Sequence, residues 1–166
     1  MKGAKFRVQD LLGRVAREYR SGALATIRLC PGDYHRFHFP CGGDILETRT
    51  IKGAYHSVNP IALGSGVNVF CANKRSFTII KSKYFGRFCY LEVGAFGVGS
   101  IVQTFTGKTC TKMREKGYFQ YGGSTIILIF EPGMIRFSDD LVNNSAAGYE
   151  TRVLTGETIG IAVNQE

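Results

Sequence analysis

Gly122-Gly123-Ser124-Thr125-Ile126-Ile127-Leu128-Ile129-Phe130-Glu131-Pro132-Gly133 holds an unbroken apolar run from Ile126 to Phe130. The run has strand length and is closed by the turn dipeptide Pro132-Gly133. It does not alternate with polar residues, so it reads as an interior strand buried on both faces. Around it the chain is punctuated in the same way. Strands are expected at 23–29, stopped by Pro31-Gly32, and at 34–39, stopped by Pro40. One or two more are expected within 44–58, then strands at 67–72, 76–83, 88–93 and 98–105. Met134 to Phe137 reads as a return strand, and Arg152 to Val163 as two short strands around Thr155-Gly156-Glu157. Many short strands between Gly and Pro turns predict an all-β sandwich or barrel over 22–166. The exception is Phe6 to Tyr19, where apolar residues at 8, 11, 12, 15, 16 and 19 follow helical spacing around an internal Gly13.

The composition sets the bounds. A length of 166 residues fits one domain with a real core, and 44% hydrophobic residues argue against disorder. Lys plus Arg number 21 against 13 for Asp plus Glu, a net charge of +8 that favours anionic partners. Arg14, Arg17 and Arg20 recur every three residues and would form one cationic stripe on a helix. Lys74-Arg75, Lys81, Lys83 and Arg87 form a second cluster. The spread suits a headgroup or membrane surface better than nucleic acid, which is not expected as a partner. Five cysteines without a CxxC pair, and no visible secretory signal, point to reduced thiols and a reducing compartment. No apolar run approaches the roughly 18–20 residues of a membrane span.

The glycine pair before Ser124 gives the apolar run a chemical reading as well. Glycines leave the backbone free to take strained angles, including positive φ. The Ser124 hydroxyl could then attack the carbonyl of Gly123, exchanging the peptide bond for an ester. Elimination would cut the chain and leave dehydroalanine, which hydrolyses to a pyruvoyl cap. Gly-Gly-Ser also occurs in ordinary turns, so these residues alone leave both readings open.

Three other patterns compete. His35 and His38 lie in one short aromatic segment, where a strand would point them to opposite faces unless it bends. Cys30, His35, His38 and Cys41 are donors suited to tetrahedral zinc, but their spacing matches no common zinc module, and no metal is expected. Gly94-Ala95-Phe96-Gly97-Val98-Gly99 runs G-x-x-G-x-G with no Walker Lys, so a glycine-rich strand lining a tight site is preferred to a phosphate loop. Ser124 is not in a G-x-S-x-G context, which excludes a hydrolase nucleophile elbow.

Five segments in order carry a family resemblance. Tyr118 to Leu128 resembles the cleavage segment of phosphatidylserine decarboxylase proenzymes, and Asp33 to Gly43 resembles their histidine motif. Val69 to Ser76, Val93 to Ile101 and Gly156 to Gly160 are similar to three further blocks. The resemblance runs from about Lys2 to Gly160. It implies a β-rich core similar to lipoyl and biotinyl carrier domains. It also implies self-cleavage between Gly123 and Ser124 into a large β chain, 1–123, and a small α chain, 124–166. The two would stay together as a heterodimer, with further dimerisation left open. Ser124 would become the pyruvoyl cofactor, the electron sink that turns phosphatidylserine into phosphatidylethanolamine at an anionic membrane surface. The resemblance gives His38 the task of activating Ser124 and His35 that of protonating the substrate carbon. His56 falls in no family motif and is read as structural.

The resemblance puts the family's relay aspartate in a segment upstream of the histidine motif, which this chain is expected to lack. Neither Asp10 nor Asp33 sits in that motif. The expectation is a truncated form that cleaves slowly or not at all. The alternative is a non-catalytic β-barrel module that binds anionic lipid or nucleic acid.

Overall fold

The computed structural model describes residues 7–57, 68–95, 100–120 and 124–163. Its centre is a six-stranded antiparallel sheet. In chain order the strands of that sheet are β1 (Ala23–Leu29), β3 (Gly43–Ile51), β4 (Arg75–Ser82), β5 (Gly86–Val93), β7 (Thr109–Cys110) and β9 (Ser124–Phe130). Their spatial order is β1-β9-β5-β4-β3-β7. A second sheet joins β2 (Arg36–His38), β8 (Glu115–Gln120) and β6 (Ser100–Gln103), and β10 (Ile135–Phe137) pairs with β11 (Gly160–Ala162). The β-rich expectation therefore holds, with antiparallel sheets throughout.

The strand expected to decide the fold does lie inside the large sheet. All of β9 is buried, between β1 and β5. Its alternate residues feed two separate cores. Ile127 and Ile129 point to the back, against Leu11, Leu12, Tyr19, Val69 and Phe70. Ile126, Leu128 and Phe130 point to the front, against Phe37, Phe39 and Phe119 of the smaller-sheet layer. Each such side chain contributes about 1.5–3 kcal/mol before the entropy of ordering it. The layers run helix, six-stranded sheet, smaller sheets.

The N-terminal segment is helical but not one helix. The short helix α1 (Val8–Leu12) ends where Gly13 takes φ 64°, and the chain continues as a 3₁₀ helix, Gly13–Tyr19. The strand expected at 67–72 is instead a helical turn, α2 (Val69–Ala72), and Val67 lies outside the described residues. A short apolar run does not distinguish the two conformations. Here the Asn73 side chain decides, donating to the carbonyls of His56 and Gly94 and accepting from the His56 amide. The tail holds one strand among its described residues, β11, rather than two. A helix, α3 (Asp139–Ala146), precedes it and buries none of its residues. Among the described residues no helix is long and apolar enough to cross a membrane.

Candidate active site

Ser124 opens β9 directly opposite Leu29, the last residue of β1. The chain leaves Leu29 through a tight turn that returns it to the same end of the sheet. Within that turn the Cys30 amide donates to Asp33 Oδ2 at 2.6 Å, and the Asp33 amide donates to the Cys30 carbonyl at 2.9 Å. Asp33 thus braces the loop that carries His35.

His35 Nδ1 lies 3.4 Å from Ser124 Oγ, and His35 Nε2 lies 3.3 Å from the Pro31 carbonyl. A carbonyl can only accept, so the second contact places the ring proton on Nε2. Nδ1 is left as an acceptor facing the serine hydroxyl. Ser124 itself is 1% exposed. A buried hydroxyl beside an imidazole nitrogen free to accept its proton is an arrangement that can supply a nucleophile and a base. The contact is long, as such pairs often are before the reacting geometry closes.

His38 does not make this contact. Its ring stacks on Tyr34, centroids 5.8 Å apart and planes 8° apart. Its Nδ1 is buried with no hydrogen-bond partner among the described residues. The hydroxyl expected beside His38 therefore meets His35. Residues three apart on a strand face opposite sides, so one of the two histidines reaches the serine; beyond it the strand is irregular, since Phe37 pairs with Gly117 but His38 with Glu115, and Lys116 is passed over.

Of the carboxylates considered in the sequence, Asp33 braces the His35 loop and Asp10 lies elsewhere. Asp10 binds Arg7, and Asp44 pairs with Lys81, whose strand neighbour Arg87 lies at the Phe130 end of β9, opposite to Ser124. The acid facing His38 is Glu115, which accepts from Thr104 Oγ1 at 2.8 Å and from Arg36 at 2.7 Å. Those two hydrogen bonds, Thr104 first, hold its carboxyl below the usual range. His56 is engaged through its backbone by Asn73. Gly122, Gly123 and the stretch 96–99 of the glycine-rich strand lie outside the described residues.

The four candidate zinc donors disperse. Cys30 Sγ lies 2.7 Å from the Arg28 guanidinium, while Cys41 is buried and its thiol is pushed up by that burial. Among the described residues no three metal-ligating side chains come together.

Sequence reasoning missed one group entirely. Glu92, Lys116 and Gln103 form a buried hydrogen-bonded cluster between the two layers. The available signal was Glu92, a lone acid in the apolar stretch Tyr90-Leu91-Glu92-Val93. Lys116 gave no signal, because Glu-Lys-Gly-Tyr-Phe-Gln lacks the alternation of a half-buried strand.

Comparison with known proteins agrees with the motifs. The phosphatidylserine decarboxylase family model matches residues 1–161. A phosphatidylserine decarboxylase proenzyme of Clostridium kluyveri is 52% identical over 97% of this chain and 55% of its own length. Proenzymes of the same name from Ruminiclostridium cellulolyticum and Chlamydia pneumoniae are 47% and 46% identical, over 99% and 100% of this chain. Each is matched over 56% of its length, so the chain spans about half the length of these relatives.

Proposed function

The chain belongs to the phosphatidylserine decarboxylase family, and we propose that it serves phosphatidylserine decarboxylation through a pyruvoyl group formed at Ser124 when the Gly123–Ser124 bond is cut. The observation that carries the reading is the approach of His35 Nδ1 to the buried Ser124 hydroxyl at 3.4 Å. The residues present fit the group: a serine is its chemical source, and this serine is shielded from water beside an imidazole acceptor. Once formed, a pyruvoyl group supplies an electron sink for loss of CO2 from an amine-bearing carbon.

The chain's own groups handle the protons. In the uncut chain His35 Nδ1 takes the proton of Ser124 Oγ, while its Nε2–H stays on the Pro31 carbonyl and holds the ring in place. The Pro31 carbonyl therefore does part of what a relay carboxylate does, fixing the tautomer without a charge to stabilise the imidazolium. A proton held at Nδ1 is then available to a substrate carbon bound at residue 124. The family resemblance divides these tasks between His38 and His35; on the support of the 3.4 Å contact we propose both for His35. His35→Ala is expected to stop cleavage; cleavage that survives His35→Ala but not His38→Ala returns the base to His38. After the cut, 1–123 and 124–166 would remain paired, because β9 is hydrogen-bonded to β1 on one side and β5 on the other.

The direct test is intact-mass spectrometry of the 166-residue chain during incubation. Conversion to two fragments, the smaller beginning in pyruvoyl, is expected, slowly, and not in Ser124→Ala. A chain that stays whole indefinitely, or one cut equally in Ser124→Ala, would sink the reading. The membrane partner has its own test. Arg14, Arg17 and Arg20 are all exposed, and the first two lie in the 3₁₀ helix, whose three-residue turn stacks them on one edge. Changing all three to Glu should weaken binding to anionic vesicles by about 1 kcal/mol per charge removed. Binding indifferent to these changes and to salt would remove the stripe from the account.

A further inference from the structure

Lys116 and Glu92 are fully buried, and the chemistry proposed for Ser124 uses neither. An ammonium withdrawn from water needs compensation on every side. Lys116 Nζ donates to Glu92 Oε1 at 2.5 Å and to Gln103 Oε1 at 2.8 Å. The rings of Tyr90 and Phe105 lie 5.1 Å from it, and those of Phe37 and Phe39 lie 5.7 and 5.9 Å away. Gln103 Nε2 closes the circuit on Glu92 Oε2 at 3.2 Å. One side chain thereby ties β8 to β6 in its own sheet and to β5 in the other.

Its place along β8 gives this tie a consequence. Lys116 is the residue passed over in the pairing with β2. The next residue, Gly117, cannot take a side chain, since a Cβ there would stand 2.1 Å from the Val102 carbonyl oxygen and 2.8 Å from the Phe37 ring. The bulge therefore sits between a glycine that must stay closely packed and a lysine anchored inward. On the other side of the bulge β8 holds the His35 segment in regular register: Arg36 pairs with Tyr118, and the Phe119 amide donates to the His35 carbonyl at 3.0 Å. At the other end of the tie, Glu92 pairs with Ile126, two residues along β9 from Ser124 and on the same face.

We infer that Lys116 is a positioning residue for the Ser124–His35 pair: anchored on Glu92 and Gln103, it holds β8, which bonds the His35 backbone, at a fixed place against the strand beside Ser124. The inference rests on the cleavage reading for only one of its two readouts.

The test uses the full 166-residue chain carrying Lys116→Met and Glu92→Leu together. The pair of changes removes both charges and keeps most of the volume, a replacement that buried ion pairs tolerate. Melting temperature, cleavage rate by intact mass, and the side-chain ¹⁵N spectrum of His35 are recorded on parent and variant. The variant should melt no lower than the parent. It should cleave about a hundredfold slower, as expected for a reacting pair displaced by an ångström or so. His35 should lose its preference for the Nε2–H tautomer. A folded variant with the parental His35 spectrum overturns the inference, whatever its cleavage rate. A parent that never cleaves overturns the cleavage reading alone, because the His35 spectrum still decides the positioning. If the double variant does not fold, Gln103→Met, which leaves the ion pair in place, is measured in the same three ways, and an unchanged His35 spectrum again overturns the inference.

Discussion

Each face of the six-stranded sheet buries a cation, and the two are compensated differently. On the back, Arg75 is 7% exposed and has no carboxylate hydrogen-bond partner among the described residues. Its guanidinium donates to the carbonyls of Leu11 at 2.9 Å, Cys71 at 2.6 Å, and Asn73 and Asp10 at 3.1 Å. These are the carbonyl ends of α1 and α2, where a cation also meets the negative end of the helix dipole. On the front, Lys116 meets a carboxylate, an amide and four rings. The back cation gathers chain ends onto the scaffold. The front cation links β8, the partner of the histidine strand, to β5, the neighbour of the strand that begins at Ser124. The difference separates what the fold needs from what the site needs.

The most damaging way to test the contrast is Arg75→Ala. It strips several buried carbonyls of their donor at once, and each such loss costs about 1–3 kcal/mol. A total of about 3–5 kcal/mol is expected after partial rehydration, read as a shift of the urea midpoint. The Lys116→Met/Glu92→Leu chain should lose little or none. If Arg75→Ala costs under about 1 kcal/mol, the back cation is not the structural one and the contrast between the two faces fails.

A smaller effect lies in the pH dependence of stability. Burial pushes the Glu92 carboxyl above its ordinary value, with the Lys116 ammonium and the hydrogen bonds from Lys116 and Gln103 opposing the rise. A carboxyl raised in the native state binds more protons there than in the unfolded chain. Its contribution is therefore complete below the unfolded value of 4.5 and is lost as pH rises through the native one. Glu115, lowered by Thr104 and Arg36, has the opposite sign, with stability present above 4.5 and lost as pH falls. The double variant should remove the falling component, at most about 1.4 kcal/mol per pH unit, and keep the rising one. Parallel profiles for parent and variant would mean that Glu92 does not titrate differently in the two states.

What the sequence made legible follows from which forces are local. Ile126 to Phe130 and Ala23 to Leu29 could be read because apolar runs between turn residues carry their own boundaries. Ser124 and the histidine pair could be singled out by residue type. Which histidine meets the serine could not, because that depends on how β2 registers against β8 and β9 against β1. β8 escaped notice for a related reason: its buried Lys116 looks like a surface residue until Glu92 and Gln103, from other strands, are placed around it. The helical turn at Val69–Ala72 was missed because its apolar residues fit a strand equally well, and the Asn73 side-chain bonds that favour the turn reach His56 and Gly94.

The smallest expected effect concerns the Arg28–Glu150 pair. Arg28 lies on β1 opposite Thr125, the residue after Ser124. It grips Glu150 with two hydrogen bonds, Nε to Oε1 at 2.9 Å and Nη2 to Oε2 at 2.6 Å. If the chain is cut at Gly123–Ser124, the two partners come to lie on different fragments, and the pair becomes an inter-chain clamp beside the site. Bidentate geometry favours it, but the side chains are 29% and 57% exposed, so water and salt screen the attraction. Exposed pairs are usually worth about 0.2–1 kcal/mol. A double-mutant cycle with Arg28→Ala and Glu150→Ala should give a coupling in that range, shrinking as salt is added. The Arg28 single change should cost slightly more than the coupling, since its guanidinium also reaches Cys30 Sγ at 2.7 Å. A coupling above about 2 kcal/mol that persists in high salt would place this pair with Lys116 rather than with the surface, and would make the segment after β10 part of what holds the Ser124 end of the sheet together.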